Sequence, residues 1–203
     1  MSLKVGITGG IGSGKTTVCK IFEKLGIPVY YADARAKYLM TNSPEIVDTV
    51  KKIFGKKAYD ESGNLNRPHI AKLAFSNPDL LSQLNQTVHP AVHADGKSWH
   101  EAQKEVPYTL NEAALMVESG GHKRMNKLIV VVAPEDLRIE RVMKRDGVDE
   151  KAVRARMDNQ LPQEEKEKLA DFIINNDGSE SLILQVWKIH AALKKAAQAS
   201  VND

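Results

Sequence analysis

The clearest chemical pattern in the sequence is a glycine-rich stretch that ends in a lysine and a threonine. It runs Gly9-Gly10-Ile11-Gly12-Ser13-Gly14-Lys15-Thr16 and satisfies the spacing Gly-x-x-x-x-Gly-Lys-Ser/Thr of a phosphate-binding loop. Glycines are needed because the backbone must curl until its N–H groups converge on a phosphate, at φ angles that a Cβ would penalise. We predict that the loop binds ATP, with Lys15 bridging the β- and γ-phosphates and the Thr16 hydroxyl ligating Mg²⁺.

The segments on either side of the loop predict a βαβ unit. Residues 3–7 are a short β-rich run, and residues 17–25 place Val18, Ile21 and Phe22 on one helical face. Residues 29–31 are a second strand candidate, so the order is strand, loop, helix, strand, as in a parallel sheet. The helix N-terminus adds partial positive charge to the phosphate site. The residues expected to contact ATP there are Gly10, Ile11, Gly12, Ser13, Gly14, Lys15, Thr16 and Thr17.

The pattern after the second strand changes to helices separated by turns, and residues 34–103 contain no convincing strand. Apolar residues recur there at helical spacing, as in Ile46, Val50 and Ile53. We predict a break between two helices at His89-Pro90, because the residue before a proline is pushed out of the α region. This part of the chain is interpreted as a helical insertion.

Strands return in the second half of the chain. Residues 108–117 form one candidate, and residues 128–132 form a continuous apolar run, which is typical of a strand buried on both faces. Pro134-Glu135 opens a helix, and residues 138–168 are dense in charge and are interpreted as a mobile basic flap. A last strand at 171–174 precedes a closing helix with an apolar stripe at Leu182, Val186, Ile189 and Leu193.

Composition limits the classes of protein that fit. The chain has 203 residues, of which 42% are hydrophobic and 27% charged, which suits a globular domain with a real core. The net charge of +3 is not gathered on one face, so no nucleic-acid partner is predicted. No apolar run approaches the roughly 20 residues that cross a bilayer, so no membrane role is predicted. The single cysteine excludes an internal disulfide and favours the cytoplasm, and the oligomeric state is left open.

Two motif tests separate a kinase from a GTP-binding switch. A switch reads guanine through Asn-Lys-x-Asp, whereas Asn126-Lys127 is followed by Leu128 and Ile129. Residues 60–63 match Asp-x-x-Gly, but no apolar strand precedes them and their residue types favour a turn. A kinase must close over two substrates, which explains both an insertion and a flap.

Several segments, in order along nearly the whole chain, closely resemble the dephospho-coenzyme A kinase family. They are the glycine loop, Ala32-Asp33, His89-Pro90, Leu115-Met116-Val117-Glu118, Arg145-Asp146-Gly147, Asn159-Gln160, Ala170-Asp171 and Asn175-Asn176-Asp177-Gly178. The resemblance implies that ATP phosphorylates the ribose 3′-hydroxyl of dephospho-coenzyme A, the last step of coenzyme A synthesis. The chain departs from the family at Tyr31, where an acid is common, and at Ala114-Leu115-Met116, where Pro-Leu-Leu is frequent.

The fold class that this predicts is α/β, a three-layer P-loop kinase fold with a parallel sheet core, a helical substrate-binding insertion and a helical lid. The nucleotide-binding core comprises residues 1–33, 105–137 and 169–203. Residues 34–104 form the helical acceptor domain for the coenzyme, and residues 138–168 form the lid.

The catalytic residues are predicted to be Lys15, Asp33 and Arg145. Asp33 follows the second strand, at the edge where open α/β sheets place ligands. It is therefore a candidate general base. Its structural alternative is the N-cap of the following helix. Arg145 begins the family's Arg-Asp segment and is expected to stabilise charge on the transferring phosphoryl group. Arg141 lies four residues earlier, on the same helical face, and is predicted to contact ATP.

The resemblance also implies acceptor contacts. His89, Glu118 and Gln160 are predicted to bind dephospho-coenzyme A, and Asn175 to contact ATP. Glu112 is a candidate for positioning the water shell of the metal, with a surface salt bridge as the alternative for Glu112 and Glu118 alike.

Other notable residues are given structural interpretations. Lys166 and Lys168 are read as a solvated helix face, and Trp99 and Trp187 as packing residues. Cys19 is read as a small buried hydrophobe.

Two other functions are left open by the residues. One is a different small-molecule or nucleoside monophosphate kinase, which would keep the loop and the lid. The second is a non-catalytic nucleotide-binding module, which would bind ATP without releasing ADP.

Overall fold

The computed structural model describes residues 2–202, and its centre is a five-stranded sheet whose strands pair in parallel. The strands are β1 Leu3–Thr8, β2 Val29–Tyr31, β3 Tyr108–Glu112, β4 Lys127–Val132 and β5 Phe172–Asn175. Their order is β2-β3-β1-β4-β5, so β1 lies in the middle and the glycine loop leaves its carboxyl end. The predicted parallel α/β fold is confirmed.

The helices fall between these strands. They are α1 Lys15–Lys24, α2 Ala32–Asn42, α3 Pro44–Phe54, α4 Arg67–Ser76, α5 Pro78–Ala102, α6 Glu135–Asp146, α7 Glu150–Met157, α8 Gln163–Glu167 and α9 Leu182–Asn202. Two short 3₁₀ helices lie at Lys56–Ala58 and Gly121–Arg124. None of the helices in the described part of the chain combines the length and apolar character needed to cross a membrane.

The sheet is covered on both faces, as the sequence of β4 requires. Side chains alternate across a strand, and Ile129 and Val131 join the main apolar cluster with residues of α1 and α9. Leu128, Val130 and Val132 belong to a second cluster with Met116 and Val117. Because both sets are buried, the strand reads as a continuous apolar run rather than an alternating one.

The chain divides into two compact units. One unit runs up to Tyr31 and resumes at His100, and the other is Ala32–Trp99. The second unit is helical and has an apolar core of its own. Its buried members are Ile46, Val50, Phe54, Ala58, Tyr59, Ile70 and Val88.

The predicted helix break at His89-Pro90 is wrong, because α5 runs through Pro90 without interruption. A proline inside a helix loses one backbone hydrogen bond. The apolar stripe nevertheless continues on both sides of it, with Leu84 and Val88 before the proline and Ala91 and Val92 after it in the same core. Packing of this stripe outweighs the lost bond and keeps the helix continuous.

The predicted strand at 108–117 is too long, since β3 ends at Glu112. The last ladder bond runs from Ala113 N to Ile7 O at 3.2 Å, and the chain then turns. Met116 and Val117, which lie within the predicted strand, are buried in the cluster beside β4. Their burial, not strand pairing, explains why this stretch is apolar.

Candidate active site

The glycine loop connects β1 to α1 and owes its shape to positions that exclude a side chain. Gly12 has φ 79° and Gly14 has φ 93°, in the left-handed region that side chains disfavour. A Cβ on Gly12 would also meet backbone atoms of Arg138, and one on Gly14 would meet the Asn176 amide nitrogen. The loop is therefore both curled and tightly packed from outside, as a phosphate-binding nest requires.

Lys15 is the first residue of α1, and its side chain lies over the loop. Its Nζ donates to Gly9 O at 2.9 Å and to Gly10 O at 3.3 Å. Thr16 and Thr17 follow in the first helical turn and are exposed. The ammonium group thus lies beside the N-terminus of α1, where the helix adds partial positive charge, and an anion placed in the nest would meet both.

Asn176, just after β5, ties the loop to the end of that strand. Its Nδ2 donates to Ser13 O at 2.7 Å, and its backbone oxygen accepts from Arg141 Nη2 at 3.0 Å. Arg141 Nη1 also approaches Gly12 O at 3.5 Å. The structure therefore brings Arg141 against the loop, whereas Asn175 is exposed and its backbone is held by Gln185 of α9.

Arg138, which the sequence places in the predicted basic flap, is a buried neighbour of the loop. Its Nη1 lies where a Cβ of Gly10 would be, and its carbonyl lies where a Cβ of Gly12 would be. Burial lowers the pKa of its guanidinium, while Glu135 and Glu164 act in the opposite direction. Arg138 thus supports the outer side of the loop.

Gln160 and Glu118, both predicted acceptor contacts, are engaged with other parts of the protein. Gln160 Oε1 accepts from Ile11 N at 2.8 Å. Glu118 Oε1 accepts from Leu161 N at 3.0 Å and lies 2.8 Å from Lys166 Nζ. Burial raises the pKa of Glu118, but the Lys166 ammonium beside it and the hydrogen bonds from backbone amides outweigh it, so the net pKa lies below its ordinary value.

The interpretation of Lys166 and Lys168 as a solvated helix face is wrong for Lys166. Its side chain is 0% exposed, whereas the Lys168 side chain is 67% exposed and pairs with Glu165. The two lysines lie two residues apart, so they point to different sides of the helical turn. The charge pattern alone does not show which of them is buried.

Glu112 closes β3 at the edge of the sheet where the loop begins. It lies in register with Ile7 of β1 and with Tyr31 of β2 and is buried. Its charge acts on Cys19: burial, then Glu112 and Glu23, raise the pKa of that thiol. The same three influences, together with Cys19, raise the pKa of the Tyr31 hydroxyl. The reading of Cys19 as a buried hydrophobe is confirmed, since it is 0% exposed.

Arg145 lies near the end of α6 in an exposed ion pair. Its Nε donates to Asp146 Oδ1 at 2.7 Å, and Arg156 of α7 donates to Asp146 Oδ2 at 2.7 Å. The hydrogen bond from Arg145, helped by that from Arg156, lowers the pKa of Asp146 to about 2. These contacts join α6 to α7 and leave the Arg145 side chain 62% exposed.

Asp33 and His89 belong to the helical unit. Asp33 lies in the first turn of α2, which begins at Ala32 directly after β2, and it is exposed. His89 is exposed on α5, next to the interior proline. The sequence placed Asp33 just before a helix, and the structure places it inside the first turn.

A nest of backbone amides at the carboxyl end of a central parallel strand, with a lysine ammonium beside it, receives the phosphates of a nucleotide. With the strand order and the added helical unit, this arrangement defines a P-loop kinase. The family model described as Dephospho-CoA kinase matches residues 3–181. The chain therefore belongs to the dephospho-CoA kinase family, and it is an ATP-dependent kinase.

Individual relatives agree with the family model. The dephospho-CoA kinase of Salinibacter ruber is 42% identical over 177 residues, which cover 86% of this chain and 89% of the relative. That of Aquifex aeolicus is 36% identical over 193 residues, covering 95% and 98%. Neither a nucleoside monophosphate kinase nor a non-catalytic module is favoured by these comparisons.

Solved structures show the same fold. The crystal structure of TT1252 from Thermus thermophilus has a TM-score of 0.83 at 34% identity, covering 94% of this chain and 97% of that one. The dephospho-CoA kinase from Campylobacter jejuni has a TM-score of 0.72 at 27% identity, covering 97% and 99%.

Proposed function

We propose that the chain transfers the γ-phosphoryl group of ATP to the ribose 3′-hydroxyl of dephospho-coenzyme A, with Lys15, Asp33 and Arg145 as its catalytic residues. The observation that carries the proposal is the position of Lys15 Nζ over the nest, 2.9 Å from Gly9 O. Family membership supports the choice of acceptor.

The proposed reaction is an in-line displacement at the γ-phosphorus. The Asp33 carboxylate accepts the proton of the ribose hydroxyl, whose oxygen forms a bond to phosphorus. The bond from phosphorus to the bridging oxygen breaks, and ADP leaves with that electron pair. Lys15 and the loop N–H groups stabilise the charge that develops on the phosphate oxygens.

The residues present suit a magnesium ion carried by the nucleotide. Mg²⁺ prefers oxygen ligands and keeps several waters beside substrate phosphates. The Thr16 hydroxyl is exposed in the first turn of α1, and the Glu112 carboxylate ends the strand next to β1. When bound, the ion would neutralise charge on the phosphates, with Thr16 as a ligand and Glu112 positioning its waters.

Arg141 and Arg145 are proposed to act on the phosphates from α6. Arg141 already lies at the loop, through Gly12 O and Asn176 O. Arg145 carries a guanidinium fork whose geometry suits a phosphoryl group, and its release from Asp146 would accompany its use. We propose that residues 138–168 act as the lid in this sense.

The acceptor is proposed to contact His89, a residue of the acceptor domain predicted at 34–104. The acceptor roles of Glu118 and Gln160 and the ATP contact of Asn175 stay predictions. A lone cysteine that is buried and a reaction that consumes ATP fit a cytoplasmic enzyme whose partners are these two small molecules.

The proposal is tested by measuring ADP release with dephospho-coenzyme A, AMP, CMP and shikimate offered separately, with and without Mg²⁺. Release with dephospho-coenzyme A alone, dependent on Mg²⁺, is the expected result. Release with AMP or CMP instead would show a nucleoside monophosphate kinase, and ATP binding without release would show a non-catalytic module.

Variants assign the residues in the same assay. Asp33→Asn is expected to lower kcat by roughly 10²- to 10⁴-fold, the usual contribution of a general base, and Lys15→Ala to abolish turnover. Asp48→Asn, on an exposed position of α3, is the matched control and should turn over normally. An Asp33→Asn enzyme with normal kcat would refute the assignment of the base.

A further inference from the structure

One peptide group of the glycine loop is held from both sides. The carbonyl between Gly10 and Ile11 accepts from Lys15 Nζ at 3.3 Å, and the N–H of the same peptide donates to Gln160 Oε1 at 2.8 Å. Because a peptide group is planar and rigid, turning its N–H also turns its carbonyl. The same carbonyl also accepts from Ser13 N at 3.1 Å. The Gln160 carboxamide therefore acts together with that backbone bond to set the direction of an oxygen that holds the Lys15 ammonium.

The segment that carries Gln160 is held by a partly buried ion pair, Glu118 and Lys166. The backbone N–H of Gln160 donates to Met157 O at 2.8 Å, at the end of α7. The next residue along the chain, Leu161, donates its N–H to Glu118 Oε1 at 3.0 Å. The same oxygen lies 2.8 Å from Lys166 Nζ, and the two side chains are 17% and 0% exposed. Glu118 thus ties the chain on one side of Gln160 to the interior of the protein.

The burial of this pair suggests that it has a purpose other than stability. Two buried charges lose hydration that their mutual attraction often fails to recover, and apolar residues of similar size are frequently as stable. The pair does hold Glu118 Oε1 at a defined place, 2.8 Å from the buried Lys166 Nζ. The backbone that this geometry fixes is the segment that carries Gln160.

We propose that Glu118 and Lys166 are positioning residues for Lys15: they fix the segment 160–161, and Gln160 in turn orients the peptide whose carbonyl holds the Lys15 ammonium. This inference rests on the role proposed above for Lys15. The chain of contacts runs from Lys166 through Glu118, Leu161 and Gln160 to Ile11, and all of these residues lie in the same compact unit.

The proposal predicts which step of the reaction suffers when the chain of contacts is broken. Lys15 acts on the β- and γ-phosphates, so its displacement weakens the transition state and the contact with the γ-phosphate. The nest still binds a diphosphate through its backbone amides. A small displacement of a catalytic group lowers kcat by roughly 10- to 100-fold, and ADP affinity should change far less.

Two double variants separate positioning from folding. Glu118→Leu with Lys166→Met removes both charges and leaves an apolar pair, which is expected to fold, but residue 118 no longer accepts from Leu161 N. Glu118→Gln with Lys166→Met also removes both charges but keeps an amide oxygen for that N–H. The Leu/Met enzyme should lose roughly 10- to 100-fold in kcat, at least about fivefold more than the Gln/Met enzyme.

The link through Gln160 is tested by combination. Gln160→Ala should lower kcat by a factor similar to that of the Leu/Met pair, and the triple variant should lose no more than the larger of the two, because both changes break one chain of contacts. ADP affinity, measured by calorimetry, should stay within about threefold. Lys168→Met, on the exposed lysine two residues from Lys166, is the matched control and should leave kcat unchanged.

Three results would overturn the inference. The first is an equal kcat for the enzyme with Glu118→Leu and Lys166→Met and the enzyme with Glu118→Gln and Lys166→Met. The others are losses in kcat that multiply in the triple variant, or an equal loss of ATP and ADP affinity. Lys15→Ala is measured beside them. If Lys15→Ala keeps its kcat, the proposed role of Lys15 fails. If it loses kcat while the Leu/Met pair does not, only the positioning inference fails.

Discussion

Asn176 donates its side-chain Nδ2 to Ser13 O at 2.7 Å, and this hydrogen bond joins the end of β5 to the phosphate-binding loop. The same Nδ2 occupies the place that a Cβ on Gly14 would need. The contact therefore explains two features at once: the loop is held at Ser13, and Gly14 must have no side chain.

Removing this amide should weaken ATP binding more than it slows the reaction. Asn176→Ala breaks one hydrogen bond, worth about 0.5–1.5 kcal/mol net, which corresponds to an increase of roughly 2- to 10-fold in KM for ATP. The Ser13 carbonyl receives no part of the transferring charge, so kcat should fall less than KM rises. Steady-state kinetics over a range of ATP concentrations gives both values.

Asp177→Ala provides the control for this variant, because the described side-chain contacts of Asp177 go to Ser179. Its KM for ATP should match that of the unmodified enzyme. An Asn176→Ala enzyme with unchanged KM would show that the loop keeps its shape without the amide.

Gly12 and Gly26 form a matched pair for testing the shape of the loop. Both have φ 79°, so an alanine at either position meets about 1–2 kcal/mol of backbone strain. Only at Gly12 would the new Cβ also meet backbone atoms, those of Arg138; at Gly26 no atom lies within 4 Å. Gly12→Ala should therefore distort the nest and abolish measurable ATP binding, as read by calorimetry.

Gly26→Ala should bind ATP normally and lower Tm by about 2–8 °C, from the strain alone. Comparable ATP affinity in the two variants would contradict the argument from packing against Arg138.

The fold was largely predictable because the signals for its strands are local. Residues 29–31 were predicted as a strand and form β2 with the same bounds, and the apolar run at 128–132 lies within β4. Where the prediction fails, a tertiary contact decides. Pro90 lies inside a helix because the apolar stripe on both sides of it packs into one core.

Burial of single side chains on helices was harder to predict. Its helical spacing predicts Trp187 to be a packing residue, yet it is 61% exposed. The buried stripe of α9 is Val186, Ile189 and Leu193, and one residue along a helix is a rotation of about 100°. A large aromatic side chain next to the stripe therefore points away from the core.

The loop and its lysine were predictable from residue types and spacing, but the residues that support them were not. Arg138 and Asn176 carry no spacing that points to Gly10 or Ser13, and they reach the loop because β4 and β5 follow β1 in the sheet. Lys166 belongs to a run of alternating charges, and only the packing of α8 shows that it is buried. Contacts between distant parts of the chain leave no local pattern.

Cys19 should be unreactive in the folded enzyme. Thiol reagents attack the thiolate, and burial, together with Glu112 and Glu23, raises the pKa of this thiol. Cys19 is the sole cysteine of the chain, so any thiol modification that is measured belongs to it. Its reaction with a disulfide reagent at about pH 8, near the ordinary thiol pKa, should be slow in native protein and rapid in denaturant.

An exposed thiol introduced as Ser62→Cys in a Cys19→Ala background sets the rate expected for an accessible site. If Cys19 in native protein reacts as fast as that thiol, the residue is not buried in solution.

The Glu118–Lys166 pair should make stability fall in acid. The pKa of Glu118 lies below its ordinary value of 4.5 in the folded enzyme, so the unfolded chain binds more protons as the pH falls, and the free energy of unfolding decreases. The contribution of Glu118 is therefore fully present above about pH 4.5 and is lost as the pH falls through the folded pKa.

Urea unfolding from about pH 6 down to about pH 3 measures this loss. The enzyme with Glu118→Gln and Lys166→Met serves as the reference because it lacks both charges. The difference in unfolding free energy between the two proteins should be constant above about pH 5 and should shift against the unmodified enzyme below it. Glu165→Gln, which removes the carboxylate partner of the exposed Lys168, should follow the unmodified enzyme throughout. A difference that stays constant over the whole range would mean that Glu118 titrates alike in the folded and unfolded states, and that its contact with Lys166 does not stabilise the carboxylate.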